Sequence, residues 1–368
     1  MSHVFRQALH SISEVSMSPT PSDAPIVVVV GNRHSPHPVT WERPYARLGA
    51  EVVFLNAHPQ GSRLKRTLQL IRTFGPARPR IARLRQQGRR VVVHAHGAGT
   101  AGVLASLFVD SHPVVIVYGS EVIHAGDLPR TAQRAVAWVL RRAKRIVTTA
   151  NSTWPAVIAL DPTARARLTT VWLAPDWEKL AHGVTRAPDR EIVFFSNRRL
   201  LPLYNISTLI EAFRTLPDPN LRLTLLRGDA AEGIAYVQNI KASIQGTGSV
   251  TLIDRFLSAD ELVTEYSRSD IAVSIAETDQ LSFSIVEALA TGCILVATDL
   301  EAYDAISHLD HVFTVPVPVT AEGVTLALQQ ALALHREADT DMTDARQKRS
   351  AASRAALEKL SSNLAEIL

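Results

Sequence analysis

Short runs of β-branched residues alternate along the first half of the chain with longer stretches of helical period. The apolar runs lie at residues 26–30, 52–55, 91–94, 114–117 and 146–149. Runs of this length without polar alternation are typical of strands buried on both faces of a parallel sheet. The order of strand and helix predicts an open, doubly wound sheet, in which ligands bind outside the carboxyl ends of the strands.

The pattern stops between residues 172 and 190 and then resumes. Pro175, Gly183 and Pro188 interrupt any regular period in this stretch, which predicts a linker. Further strands are predicted at 192–195, 221–226, 250–253 and 271–275. One helix is predicted around 206–213, and another at about 284–291, ended by Gly292 in the C-cap position.

The length of 368 residues favours two domains. The prediction comprises a disordered segment (1–24), a first domain (25–175), a linker (176–190), a second domain (191–345) and a C-terminal helix (346–368). That helix is expected to be exposed or to pack back toward the first domain. A single cysteine, Cys293, allows no internal disulfide and no cysteine-based metal site, which favours the cytoplasm.

Charge is distributed unevenly between the two halves. Residues 1–175 carry 22 Lys and Arg against 8 Asp and Glu, a net charge of +14, whereas the remainder has a net charge of −10. Ten of the cations lie between residues 62 and 90, without an acid, and leucines are interleaved among them. This segment fits an anionic membrane surface, although an ordinary solvated surface is the open alternative. No apolar run is long enough for a signal peptide or a bilayer span, so any membrane contact is expected to be peripheral, on the inner face.

Two stretches of the second domain carry candidate chemistry. Asp279 and Glu287 lie eight positions apart across a strand-to-helix junction, where backbone N–H groups and the helix dipole favour an anion. Arg198 and Arg199 follow the first strand of this domain, where a planar guanidinium could bind a diphosphate. The alternatives are a simple N-cap at Ser282 or Ser284, a solvated Glu287 and a surface arginine pair.

These stretches resemble the retaining nucleotide-sugar glycosyltransferases of family 4. Arg198 matches the family's diphosphate-binding arginine, residues 279–287 match its paired-acid motif, and residues 287–292 match the Glu-Ala-x-Ala-x-Gly run that follows. In the first domain, residues 31–41 resemble the amino-terminal loop, 93–97 the His-rich strand end and 117–121 the His-Gly-x-Asp-like turn. The resemblance covers nearly the whole chain from about residue 25. It implies a GT-B fold, in which two Rossmann-like, doubly wound parallel-sheet domains face each other across a cleft.

The resemblance also implies the roles of individual residues. Glu287 would bind the nucleotide ribose, Asp279 the donor sugar, and Arg198 the leaving diphosphate, while base contacts would come from loops such as 254–256. Arg198, Asp279, Glu287 and Glu121 are the predicted catalytic residues. The predicted donor-binding residues are Arg198, Arg199, Tyr204, Arg255, Asp279, Leu281, Ser282, Phe283, Ser284 and Glu287, and the predicted acceptor-side residues are Gly31, His96, Tyr118 and Glu121.

Three positions depart from the family pattern. Tyr204 stands where a lysine partner of the arginine is expected, Tyr118 replaces the turn histidine, and Asp279 replaces a glutamate. Arg199 could compensate for the missing lysine. Histidines 34, 37, 94, 96 and 124 cluster near strand ends, but no helical His-x3-His pair accompanies them, so no metal site is predicted.

The function implied is metal-independent, retaining hexosyl transfer of the EC 2.4 class. It needs no cofactor besides a nucleotide-diphosphate sugar of UDP or GDP type, and the acceptor would be a lipid-linked saccharide, a polysaccharide or a small glycoside. The alternative is a protein that has kept the fold and binds nucleotide sugars or glycans without catalysis. Nucleic-acid binding is not expected, because no recognisable module accompanies the basic segments.

Overall fold

The chain folds as two compact units in the structure, a computed structural model. One unit comprises Met1–Leu173 with Ser361–Leu368, and the other comprises Ala174–Leu360. The structure describes residues 24–33, 41–42, 44–46, 48–171, 191–227, 233–337, 342–359 and 367. The predicted linker, nearly all of the predicted disordered segment, and residues 34–40 with His34 and His37 lie outside these ranges.

The first unit is built around one parallel sheet of six strands. The strands are β1 (Ile26–Gly31), β2 (Glu51–Asn56), β3 (Val91–His96), β4 (Val114–Val117), β5 (Arg145–Thr148) and β6 (Leu168–Thr170), in the order β2-β1-β3-β4-β5-β6. The helices are α1 (Arg63–Phe74), α2 (Ala77–Gln86), α3 (Thr100–Phe108), α4 (Ser120–Ile123), α5 (Arg130–Arg142) and α6 (Trp154–Leu160). Short 3₁₀ turns lie at Ala125–Asp127, Asn151–Thr153 and Pro162–Arg167.

The second unit repeats this architecture. Its strands are β7 (Ile192–Ser196), β8 (Leu221–Leu226), β9 (Val250–Ile253), β10 (Ile271–Ser274), β11 (Ile294–Thr298) and β12 (Val312–Val315), in the parallel order β12-β11-β10-β7-β8-β9. The helices are α7 (Ile206–Arg214), α8 (Ile234–Ile244), α9 (Ala259–Arg268), α10 (Phe283–Ala290), α11 (Asp304–Ser307), α12 (Ala321–Glu337) and α13 (Met342–Glu358). Two 3₁₀ turns lie at Pro202–Tyr204 and Glu301–Tyr303.

Both sheets confirm the predicted α/β class with two Rossmann-like, doubly wound domains. All six residues of β1 are buried, as its unbroken run of valines requires for a central parallel strand. Strands β6, β11 and β12 were not predicted from the sequence. Strand β6 is only three residues long. Strand β11 follows the apolar helix α10 so closely that hydrophobic period alone does not separate the apolar residues of the strand from those of the helix.

The C-terminal helix α13 packs against the end of α10 within the second unit. Its buried face includes Ser353 and Leu357, so this helix is only partly exposed. Arg346 donates from Nε to the Thr291 carbonyl (2.8 Å), and Arg349 donates from Nε to the Gly292 carbonyl (2.9 Å). The last carbonyls of a helix have no partner within that helix, and these arginines supply one at the end of α10.

Gly292 makes this close packing possible. Its φ of +73° lies in the left-handed region, and an added Cβ would lie 2.2 Å from the Arg346 carbonyl oxygen. A side chain here would therefore suffer both backbone strain and a collision with the backbone of α13.

We expect Gly292→Ala to destabilise the protein by roughly 2 to 4 kcal/mol, because left-handed strain and overpacking combine at this position. Gly246→Ala is the matched control, since Gly246 has a φ of +76° but nothing within 4 Å of an added Cβ. That control should lose only about 1 to 2 kcal/mol. Urea denaturation of the two variants measures the difference, and equal losses would show that the contact with α13 costs nothing.

Candidate active site

The candidate donor site of the second unit lies where β7 and β10 end. These two strands are neighbours in the sheet, so the residues that follow them reach the same edge. Arg198 comes two residues after β7, and the segment after β10 leads through Asp279 into α10. The sheet order thus brings together two sequence stretches that are about 80 positions apart.

The guanidinium of Arg198 joins the two stretches. Nε donates to Ser274 Oγ (2.6 Å), at the end of β10, and Nη2 donates to Ser282 Oγ (2.8 Å) and to Asp279 Oδ2. Only 6% of Arg198 is exposed. Burial opposes its charge, but the attraction of Asp279 outweighs this effect and raises the pKa of Arg198 above its ordinary value. Arg198 is therefore a fixed, buried cation.

Two tyrosines complete the surroundings of this ion pair. The Tyr303 hydroxyl donates to Asp279 Oδ2 (2.7 Å), and the Tyr204 ring lies 5.1 Å from the Arg198 guanidinium carbon. Burial, followed by the nearby charge of Asp279, raises the pKa of Tyr303, which keeps its hydroxyl protonated and able to donate. Tyr204 thus meets the arginine through its ring, where the resembled family has a lysine.

The start of α10 is positioned as an anion site. Ser282 occupies the N-cap position with extended backbone, but its side chain makes no capping bond and accepts from Arg198 instead. Its hydroxyl also lies 3.4 Å from that of Ser284, whose carbonyl accepts from Tyr266 Oη (2.8 Å). Leu281 is buried and Phe283 half-buried at this junction. Ser282 therefore stands at the N-cap position, as the alternative predicts, but its side chain does not cap the first N–H groups of α10.

Glu287 is half-buried on α10, one turn beyond the helix start. Burial raises the pKa of its carboxyl group to about 7. A solvated helix residue would keep its ordinary value, so the alternative of an ordinary surface glutamate does not fit. A buried carboxyl group that titrates near neutrality is typical of a functional site.

The remaining predicted donor residues are more exposed. Arg199 is exposed next to the buried Arg198. The Arg255 side chain is 60% exposed and forms an ion pair with Glu261 (2.7 Å) beyond β9, which lies three strands from β10 in the sheet. Ser274, Tyr266 and Tyr303 were not predicted. Nothing in their local sequence marks them, because their proximity depends on the order of the strands.

Three of the predicted acceptor-side residues form a cluster in the first unit. His96 Nδ1 lies 2.6 Å from the Tyr118 hydroxyl, and the Tyr118 N–H donates to Glu121 Oε1 (3.3 Å). Burial raises the pKa of Glu121, although backbone N–H groups partly oppose this effect. Gly31 ends the neighbouring strand β1 at the same edge of the sheet. These groups offer both donors and acceptors to a hydroxylated ligand.

Two other histidines of the first unit, His94 and His124, contact neighbouring groups of the protein. His94 is fully buried between Tyr45 Oη (2.5 Å) and the Ile367 carbonyl (3.1 Å), and burial lowers its pKa to about 4. His124 lies 3.8 Å from Asp127. Within the ranges that the structure describes, no three His, Cys, Asp or Glu side chains are grouped as a metal site would require. In the same ranges, no helix has the length and apolar character needed to cross a bilayer.

We expect Glu287→Gln to change how stability depends on pH. Between pH 4.5 and about 7 the folded wild type keeps a proton on Glu287 that the unfolded chain releases. Its free energy of unfolding should therefore fall as pH rises through this window, by at most about 3 kcal/mol. Glutamine removes this contribution, so the variant should lose less stability between pH 5 and 8.

Urea denaturation at pH 5, 6, 7 and 8 measures the effect. Glu211→Gln, at an exposed position of α7, is the control and should follow the wild-type profile. Parallel profiles for wild type and Glu287→Gln would show that burial does not hold a proton on this carboxyl group.

Comparisons with known proteins bear on the family and the fold of the chain. Residues 178–349 match the family model described as "Glycosyl transferases group 1". No curated protein sequence matches the chain.

Solved structures share its fold at low sequence identity. Sucrose-phosphate synthase from Thermosynechococcus elongatus is 15% identical, with a TM-score of 0.70, over 94% of this chain and 99% of that one. A glycosyltransferase from Rickettsia africae is 14% identical, with a TM-score of 0.67, over 92% and 94% of the two chains. Anabaena HepE in complex with UDP-glucose is 17% identical, with a TM-score of 0.66, over 93% and 98%. The chain thus has the GT-B fold, and its residues 178–349 are similar to the group 1 glycosyltransferases, which together support a GT-B glycosyltransferase.

Proposed function

We propose that this chain is a retaining, metal-independent hexosyltransferase of the family 4 type. It takes the sugar from a nucleotide-diphosphate sugar of UDP or GDP type and needs no other cofactor. The observation that carries the proposal is the set of contacts made by Arg198. Its buried guanidinium binds the Asp279 carboxylate and Ser282, at the start of α10, at one edge of the sheet. The group 1 domain match covers all of these residues. The UDP-glucose complex of the similarly folded Anabaena protein supports a donor of this class.

Arg198 binds the leaving diphosphate in this proposal. Its contacts with the described residues use Nε and Nη2, and none of them uses Nη1. The Nη1 group and the first N–H groups of α10 are then the donors for phosphate oxygens. Negative charge grows on the diphosphate as the sugar leaves, and fixed donors aimed at growing charge are the main source of catalysis in such reactions.

Asp279 and Glu287 recognise the donor through its hydroxyl groups. The Asp279 carboxylate is held by Arg198 and Tyr303, so its orientation is set before the sugar binds. Its remaining lone pairs can accept from sugar hydroxyls. Glu287, one turn along α10, can accept from the ribose. A prepositioned carboxylate lowers the entropy cost of aligning the sugar with the leaving group.

The chemical step exchanges bonds on one face of the sugar. The bond from C1 to the phosphate oxygen breaks, and an acceptor hydroxyl oxygen bonds to C1 from the same face. The hydroxyl proton passes to the departing phosphate oxygen, so no protein base is consumed. Arg198 and the helix dipole stabilise the negative charge, and the proposed step uses no metal ion.

The acceptor is assigned to the first unit. His96, Tyr118 and Glu121 form the cluster that can hold a hydroxylated molecule, with Gly31 at the same sheet edge. A saccharide offers hydroxyl groups that both donate and accept, which this mixed cluster matches. The acceptor class is a lipid-linked saccharide, a polysaccharide or a small glycoside.

Helix α1 supports attachment to an anionic membrane surface. Leu64, Leu68 and Ile71 form one stripe at helical spacing and are 71%, 47% and 62% exposed. The opposite face packs into the unit through Leu70 and Phe74. The cations Arg63, Lys65, Arg66 and Arg72 are distributed along the same helix. An apolar stripe with flanking cations suits the interface of an anionic leaflet, where each cation contributes about 1 kcal/mol.

We expect Arg198→Ala and Glu287→Ala each to abolish most transfer from UDP- or GDP-sugars. Loss of one fixed donor to a growing anion typically costs about 100- to 1000-fold in kcat. Release of nucleoside diphosphate and formation of glycoside measure the rate. Arg268→Ala, an exposed cation on α9, is the control. Transfer that survives both changes, or nucleotide binding without any hydrolysis or transfer in the wild type, would overturn the proposal. The latter result would instead support the fold-retaining binding protein.

We expect replacement of Leu64, Leu68 and Ile71 by serine to weaken binding to phosphatidylglycerol-containing vesicles at least tenfold. In this variant only the cations attract the protein to the vesicle surface, and salt screens that electrostatic attraction. Vesicle flotation at low and physiological salt measures the partition. Leu107→Ser, an exposed leucine of α3 outside the stripe, should bind as the wild type does. If wild type and triple variant float equally, the stripe has no part in membrane binding.

A further inference from the structure

Tyr303 reaches the candidate donor site from a third segment of the chain. It ends the 3₁₀ turn that follows β11, and β11 is a neighbour of β10 in the sheet. Thr298, at the end of β11, donates to the Ala276 carbonyl (2.6 Å) and so ties this strand end to the segment after β10. Helix α11, which begins directly after Tyr303, packs against α13. The position of Tyr303 is thus set by two neighbours, the segment after β10 and the helix α13.

The Tyr303 hydroxyl and the Arg198 guanidinium both donate to one oxygen, Oδ2 of Asp279. A carboxylate oxygen has two lone pairs, so these two donors saturate Oδ2. The aspartate side chain has only two torsion angles, and two donors from different segments fix both, whereas one donor alone would leave the carboxylate free to turn. A sugar hydroxyl would then be bound by the other oxygen, Oδ1, in a set orientation.

Ligand binding would affect these two donors differently. Arg198 is the arginine that binds the diphosphate in the proposed function, so Asp279 has to compete with phosphate oxygens for it. Tyr303 is only 1% exposed and is therefore too enclosed to contact a ligand itself. Burial, and then the charge of Asp279, raise the pKa of Tyr303, so its hydroxyl stays protonated and remains a donor. The bond from Tyr303 is thus the one that persists once a nucleotide has bound.

We propose that Tyr303 is a positioning residue for the donor sugar: it orients Asp279 and so determines how strongly the site prefers a nucleotide sugar to the free nucleotide. The inference rests on the proposed function, because Asp279 has this task only if a nucleotide sugar binds here. A site prepared to bind a hydroxyl group discriminates against a ligand that lacks it, since its polar groups are then left unpaired. Tyr303 would keep Asp279 prepared in this way.

Tyr303→Phe tests the proposal, because it keeps the ring and leaves Asp279 its ion pair with Arg198. Titration calorimetry with UDP and UDP-glucose, and with GDP and GDP-mannose, measures how the sugar changes the Kd of each nucleotide. We expect the Kd of the preferred nucleotide sugar to rise about tenfold, as for the loss of one hydrogen bond to a charged group. The Kd of the matching nucleoside diphosphate should stay within about twofold, whereas a general loss of structure would weaken both ligands alike.

Tyr236→Phe is the matched control in the same unit. The Tyr236 hydroxyl accepts from the Ser207 N–H (3.1 Å) at the start of α7 and has no contact with Asp279. This variant also loses a tyrosine hydroxyl, and both Kd values should equal those of the wild type. Thermal unfolding without ligand verifies that each variant folds.

A double-mutant cycle with Asp279→Asn separates positioning from other effects of Tyr303. If Tyr303 acts through the Asp279 carboxylate, Tyr303→Phe should change the Kd of the nucleotide sugar less than about twofold in the Asp279→Asn background. A tenfold loss that persists in this background, or an unchanged ratio of the two Kd values in Tyr303→Phe alone, would overturn the inference and leave the proposed function standing. If the wild type binds none of these nucleotides and nucleotide sugars, the proposed function fails as well.

Discussion

The candidate donor site depends on one buried guanidinium. Arg198 reaches from the end of β7 to the end of β10, to Asp279 and to the start of α10, so one side chain fixes four segments. A buried charge of this kind is tolerable only when it is paired and hydrogen-bonded, and removing either partner leaves the other charge uncompensated. The contacts of Arg198 thus stabilise this edge of the sheet and also position the groups that would bind an anionic ligand. Pairing with Asp279 also moderates the local positive charge, so a diphosphate would compete with an internal carboxylate for the arginine.

Helix α10 is held at both ends, which gives the site its rigidity. At its start, Ser282 accepts from Arg198, and Tyr266 donates to the Ser284 carbonyl. At its end, Arg346 and Arg349 of α13 take the carbonyls that the helix itself cannot satisfy, and Gly292 allows that approach. Arg346 also donates to the Ser269 and Tyr266 carbonyls, so the same cation supports the loop next to β10. A polar terminal helix is therefore a structural part of the second unit, although its composition resembles a solvated surface helix.

The sequence supports the prediction of the strands and of the main site residues, but not of their detailed surroundings. Apolar runs locate nine of the strands, and the rule that ligands bind at carboxyl strand ends brings Arg198 and Asp279 to one edge. Whether Arg198 or Arg199 is the buried cation depends on which of two adjacent residues faces the sheet edge, and local pattern does not decide this. Ser274 and Tyr303 meet the pair only because β10 lies between β7 and β11. The raised pKa of Glu287 likewise comes from tertiary burial, which no spacing of acids reveals.

The uneven charge of the chain has a different consequence in each of the two units. Residues 176–368 have a net charge of −10, so the long-range field of the second unit repels a nucleotide diphosphate. Salt screening limits that field to about 8 Å at physiological ionic strength, whereas the Arg198 guanidinium and the start of α10 would act by direct hydrogen bonds. Donor binding must then be a local interaction that depends on geometry rather than on attraction from a distance. The cations of α1 have the opposite character, because Arg63, Lys65, Arg66 and Arg72 are all exposed to solvent. The excess positive charge therefore lies in the first half of the chain, and the proposed donor site lies in the acidic half.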